Sequence, residues 1–91
     1  MAEQFIDLKI ITRDGIRFNG KVSSITVPSL AGAITILAQH IPLLSGLKAG
    51  DVQIKNNIKT LEIMSIRSGF IRFINNTCII TIEESKMSKA S

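Results

Sequence analysis

Residues 32–50 read GAITILAQHIPLLSGLKAG. Ile34, Ile36, Leu37, Ile41, Leu43, Leu44 and Leu47 make this stretch apolar enough to demand burial. Gly32, Pro42, Gly46 and Gly50 interrupt it too often for a helix, since proline removes an amide donor and glycine resists ordering. The segment therefore reads as two short strands joined by a tight corner at Gln39, His40 and Pro42.

The same reading extends outward in both directions. Upstream, Phe5 to Thr12 is rich in Ile and Leu, and Arg13-Asp14-Gly15 is a turn signal. Ile16 to Phe18 is a short extended piece, and Asn19-Gly20 predicts a hairpin turn because both residues accept positive φ. Lys21 to Pro28 alternates, which points Ile25 and Val27 inward, and 28–32 reads as a loop. Downstream, Lys48-Ala49-Gly50 is a turn, Val52 to Lys55 a strand and Asn56-Asn57 its turn. Lys59 to Ile66 alternates with Leu61, Ile63 and Ser65 on one face. Gly69 to Ile74 and Thr77 to Ile82 form a last hairpin about Asn75-Asn76.

No window carries a helical stripe. The expected fold is all-β: a flattened two-sheet sandwich or barrel of roughly ten short strands. Residues 1–84 read as one domain and 85–91 as a polar tail.

Composition narrows the class. Ninety-one residues hold a single small core, and 45% hydrophobic content with no low-complexity tract excludes disorder. No apolar run approaches the length of a membrane span, and the opening MAEQFIDLK resembles neither a signal peptide nor a transit peptide. A single cysteine, Cys78, cannot make an internal disulfide, so packing alone must hold the fold, as in a reducing compartment. The net charge of +4 is spread along the chain without a cluster, which describes a solvated surface better than an anion-binding patch.

Catalytic chemistry is scarce. His40 is the only histidine, and Cys78 lies within the apolar run CIITI, which marks a buried structural thiol. With one His and one Cys, no zinc site of soft ligands can be built. Glu83 and Glu84 are adjacent, but strand alternation sends them to opposite faces. No phosphate-binding glycine loop is present, and neither an enzyme nor a cofactor is expected. Arg67 to Phe73 echoes an RNA-binding strand, yet Phe70 and Phe73 fall on opposite faces and that fold needs helices. Asn75-Asn76-Thr77 satisfies a glycosylation sequon and reads more simply as a hairpin turn. His40 is read either as a structural imidazole bonded to its own corner or as part of a rigid contact edge.

These residues, in this order, resemble the N-terminal β-sandwich domain of the ε subunit of the rotary F-type ATP synthase. The likeness runs through Gly32, the strand Ile34 to Leu37, Gln39-His40-Ile41-Pro42-Leu43-Leu44, and Leu47-Lys48-Ala49-Gly50. It continues through Ser68-Gly69-Phe70 and the strand Thr77 to Ile82, with Phe18-Asn19-Gly20, Val22 and Ile25-Thr26-Val27 upstream. Two features depart from that family. Ala31 and Ala33 flank Gly32 where the family often carries glutamates, which leaves backbone and apolar contact at that loop. Family members usually continue into a two-helix hairpin, whereas this sequence ends at Ser91.

The resemblance implies a non-catalytic rotor part at the cytoplasmic face of the bacterial inner membrane. It would bind the γ subunit and the c-ring and couple their rotation without an inhibitory arm or bound nucleotide. The implied γ contacts are Thr12, His40, Ile41 and Pro42. The implied c-ring contacts are Ser29, Leu30, Ala31, Gly32 and Ala33. The rival readings are a small basic β-barrel that binds nucleic acid, and a small hydrolase or transferase with only His40 to offer.

Overall fold

A computed structural model describes residues 5–57 and 59–84. Eight strands run in the order β1 (Ile6–Thr12), β2 (Gly15–Val22), β3 (Ser24–Ser29), β4 (Gly32–Leu37), β5 (Leu43–Leu47), β6 (Gly50–Asn56), β7 (Lys59–Ile74) and β8 (Thr77–Glu84). They form two layers that share one strand. The first half of β7 pairs with β6, which pairs with β3 and then β4. The second half of β7 pairs with β5 on one side and on the other with β8, which pairs with β1 and then β2. All neighbours are antiparallel except β1 and β8, which run parallel.

Alternating side chains build the core, with Ile25 and Val27 inward as expected from sequence. Ile6, Leu8 and Ile10 of β1, Ile25 and Val27 of β3, Val52 and Ile54 of β6, and Cys78, Ile80 and Ile82 of β8 all point inward. Phe73 is the one aromatic in the buried cluster, at 1% exposure. Each fully buried aliphatic side chain contributes about 1.5–3 kcal/mol, so this cluster holds the fold without a disulfide.

Three local expectations are corrected. Asn19-Gly20 is not a turn: β2 runs straight through it, with Asn19 opposite Lys9 and Gly20 opposite Leu8. Asn-Gly permits positive φ but does not impose it, and pairing with β1 keeps both residues extended. The loop expected over 28–32 shrinks to Leu30 and Ala31, because Pro28 and Ser29 pair with Ala33 and Gly32 as the end of β3. Finally, 59–66 and 69–74 are a single strand of 16 residues, so eight strands stand where roughly ten were expected. The expected tail at 85–91 lies outside the described residues.

Gly69 makes the shared strand possible. It follows the register shift between Ile66 and Ser68, where β7 passes from one layer to the other. A Cβ at Gly69 would sit 2.6 Å from the Thr81 carbonyl oxygen and 3.3 Å from Ile82 Cα, both backbone atoms that cannot step aside.

Candidate docking face

The corner predicted at Gln39 to Pro42 is built by bonds from three other segments. β4 ends at Leu37, and Gln39 takes a left-handed φ of 70°. Its amide donates to Asn76 Oδ1 at 2.8 Å, and the His40 amide donates to the Leu37 carbonyl at 3.2 Å. The His40 ring meets Phe73 edge-on, with centroids 5.9 Å apart at 81°. His40 Nδ1 lies 2.7 Å from the Ile41 carbonyl, which can only accept, so the ring proton sits on Nδ1. The histidine is thus half-buried and tied to its own corner. The side chains the corner presents to solvent are Gln39, Ile41, 73% exposed, and Pro42.

From that corner an apolar strip runs along the outer face of β5 and β7. Leu44 lies opposite Arg72, and Gly46 opposite Phe70, so Leu44, Phe70, Arg72 and Ile74 share the outward side. Leu44 and Phe70 are 66% and 52% exposed. Pro42, Leu44, Arg72 and Ile74 line a shallow open depression over Leu43 and Phe73. At the far end the strip meets the β3–β4 turn. The Leu30 amide donates to the Gly46 carbonyl at 3.2 Å, and the Leu30 side chain covers Gly46, where a Cβ would come within 3.1 Å of Leu30 Cδ1.

Residues 29–33 form a tight loop with no charged side chain. Ser29 is buried at its base; its hydroxyl donates to the Gly32 carbonyl at 2.6 Å and accepts the Ala31 amide at 3.2 Å. Leu30, Ala31 and Ala33 face solvent.

The structure divides the residues that sequence reasoning had grouped. His40, Ile41 and Pro42 stand together, near the start of β1 and the β7–β8 turn. Thr12 stands at the other end of β1. Register carries its level across the sheet: Ile11 pairs with Thr81, Thr81 with Phe70, and Phe70 with Gly46, beside Leu30. The separation along β1 is about 20 Å at the usual rise per residue. The Thr12 hydroxyl serves the β1–β2 turn, donating to the Gly15 carbonyl and accepting the Asp14 amide. Leu44, Phe70 and Ile74 were not singled out from sequence as exposed apolar residues. Their signal was an apolar residue on the polar phase of each alternation.

No acid–base or metal constellation accompanies the corner. Among the described residues, no group of three or more His, Cys, Asp or Glu could hold a metal ion. Cys78 is buried in β8, and burial pushes its thiol up to about 12, far from reactivity. Arg17 bridges Glu62 at 2.6 Å and Glu84 at 3.1 Å; these bonds, Glu62 first, raise its pKa. Phe70 and Phe73 lie on opposite faces of β7, so they make no base-stacking platform. Among the described residues, no helix is long and apolar enough to cross a membrane.

Residues 5–87 match the β-sandwich domain of the ATP synthase delta/epsilon chain. The chain is 31% identical over 83 residues to the ATP synthase epsilon chain of Chlorobium limicola, covering 91% of this chain and 94% of that protein. It is 32% identical over 77 residues to that of Endomicrobium trichonymphae, but spans only 55% of that longer protein. Two solved structures share the fold across 92% of this chain. A chain of the Euglena gracilis mitochondrial ATP synthase (OSCP, F1 and c-ring) gives a TM-score of 0.83 at 20% identity, over 54% of that chain. A chain of the Tetrahymena thermophila mitochondrial ATP synthase central stalk and c-ring gives 0.73 at 16%, over 67% of that chain. An epsilon-type chain is a structural and regulatory part of the synthase, not its catalyst. This chain belongs to the ATP synthase delta/epsilon family and carries its β-sandwich domain.

Proposed function

We propose that this domain is a coupling piece of the synthase rotor, held by the γ subunit along one sheet face and resting on the c-ring through one loop. The observation that carries this reading is the exposed, mainly apolar strip from Ile41 and Pro42 through Leu44, Phe70 and Ile74 to Leu30, with Arg72 set among them opposite Leu44. A monomer gains nothing by exposing such a row, while a long partner laid along it buries every member. His40 supports the edge from below, through Phe73, and performs no chemistry. A γ subunit that also touched Thr12 would have to span the length of the sheet.

The Ser29–Ala33 loop is the proposed c-ring contact. It is neutral, braced by the Ser29 hydroxyl, and tipped with Leu30 and Ala31, so contact there is apolar and through backbone. The domain would then work at the cytoplasmic face of the bacterial inner membrane, peripheral to it through the complex.

Binding to the purified γ subunit of the same synthase tests the proposal. Calorimetry is expected to show a stable complex that Ile41→Asp weakens by at least about tenfold, the effect of placing a charge in a desolvated contact. No measurable binding at micromolar concentrations would reject the γ assignment.

A further inference from the structure

We propose that Asn76, which lies outside the docking edge, is the positioning residue that holds the Gln39–Pro42 corner in its docking geometry. The inference rests on the γ-docking reading above.

Asn75 and Asn76 form the two-residue turn between β7 and β8, with φ of 50° and 59°. Positive φ at both central positions is the primed turn that suits a hairpin, and asparagine tolerates it. Turn geometry alone would be satisfied by glycine at residue 76. The side chain does something further. Asn76 Oδ1 accepts the Gln39 amide at 2.8 Å, and Nδ2 donates to the Phe5 carbonyl at 2.7 Å. The Asn76 carbonyl also accepts the Asp7 amide at 3.1 Å. One residue thus ties the β7–β8 turn, the start of β1 and the corner. The amide orientation is fixed by its partners: Gln39 N–H can only donate and the Phe5 carbonyl can only accept, so a flipped amide satisfies neither.

The corner needs this hold. Gln39 sits at φ 70°, a conformation that disfavours a residue with a Cβ. The next two side chains after His40, Ile41 and Pro42, are exposed and have no packing of their own to fix them. From outside its own segment, the corner is held by the Phe73 ring against His40 and the Asn76 carboxamide on the Gln39 amide, beside its local bonds to Leu37 and Ile41. Removing the carboxamide frees the Gln39 amide and lets the corner sample other conformations. A partner that needs one conformation then binds only the fraction that has it.

The test uses the full chain and the purified γ subunit, with amide hydrogen exchange and binding read on the same proteins. Asn76→Gly keeps the left-handed backbone and removes both side-chain bonds. It is expected to speed exchange of the Gln39 amide by about tenfold and weaken γ binding by about five- to tenfold, consistent with the loss of a hydrogen bond worth about 1 kcal/mol. Core amides at Ile10 and Ile80 are expected to stay within about twofold. Asn76→Asp retains an acceptor for Gln39 and is expected to keep most of that amide's protection. Binding unchanged in Asn76→Gly while Ile41→Asp weakens it would overturn the role of Asn76 and leave the docking reading intact. Core amides that loosen as much as Gln39 would make Asn76 an ordinary stabilising residue and overturn the proposal. Binding insensitive to Ile41→Asp would instead remove the docking edge itself.

Discussion

Both sheets of this sandwich expose apolar side chains, but they arrange them differently. On the β5–β7–β8 face, Leu44, Phe70 and Ile74 are neighbours, and Leu30 folds over Gly46 to extend the row. On the β3–β4–β6 face, Leu37, Leu61 and Ile63 are as exposed, but Leu61 and Ile63 form only a pair on β7, and polar groups separate that pair from Leu37. Register sets Ile63 opposite Gln53, Gln53 opposite Thr26, and Thr26 opposite Thr35, whose hydroxyls bond at 2.9 Å. Beside that row, Ser65 bonds Asp51 at 3.0 Å. The contrast teaches that contiguity, and not the number of exposed apolar residues, marks a surface meant to be covered.

The contrast can be broken most directly by charge. Leu44→Asp and Phe70→Asp are expected to reduce γ affinity by about 100-fold, while Ile63→Asp changes it less than about twofold. Calorimetric titration reads both arms, and an Ile63→Asp loss as large as Leu44→Asp would put the partner on the other face. Since all three positions are exposed, thermal stability is expected to change little in each.

The next largest effect concerns the strand both faces share. Gly69→Ala pushes a methyl into the Thr81 carbonyl and is expected to cost about 1–3 kcal/mol, read from denaturant midpoints. A midpoint equal to the parent's would show that β7 can pass between layers without that close approach.

A smaller effect comes from Cys78 and appears only in alkali. Its folded-state thiol is pushed up to about 12, while the unfolded thiol ionises near its ordinary value of about 8.5. Below that ordinary value both states keep the proton, and the stability is fully present. Above it the unfolded chain loses the proton first, so stability falls as pH rises toward 12. The loss is expected to be on the order of 1–2 kcal/mol by pH 10 relative to Cys78→Ala measured in parallel. Parallel stability curves for the two proteins between pH 8 and 10 would contradict the burial of the thiol.

The smallest effect tests the seam between the faces. Arg17 of β2 reaches Glu62 of β7 and Glu84 of β8, but all three side chains are partly exposed. Arg17→Met is expected to cost less than about 1 kcal/mol, and less still in high salt.

The sequence made one class of feature plain and hid another. Alternation exposed the inward positions of β3, Ile25 and Val27, because a residue's face follows from its neighbours two places away. The corner at Gln39 to Pro42 was legible because glycine and proline act locally. Asn19-Gly20 misled because the same local signal was overruled by β1, which is not local. The apolar strip was hidden for a related reason: Leu44, Phe70 and Leu30 lie far apart in sequence and become neighbours only through register. Asn76 is the extreme case. From sequence it is half of an Asn-Asn turn, and nothing nearby reveals that its carboxamide reaches Phe5 and Gln39.

The undivided course of β7 has a mechanical consequence. Where two sheets are joined only by side-chain packing, a shearing load slides one over the other by breaking weak contacts. Here one unbroken strand of sixteen residues gives its first half to one layer and its second half to the other, so a pull on either is delivered to the other through covalent bonds. A domain built this way resists sliding of one layer over the other by stretching backbone and not by breaking side-chain contacts alone.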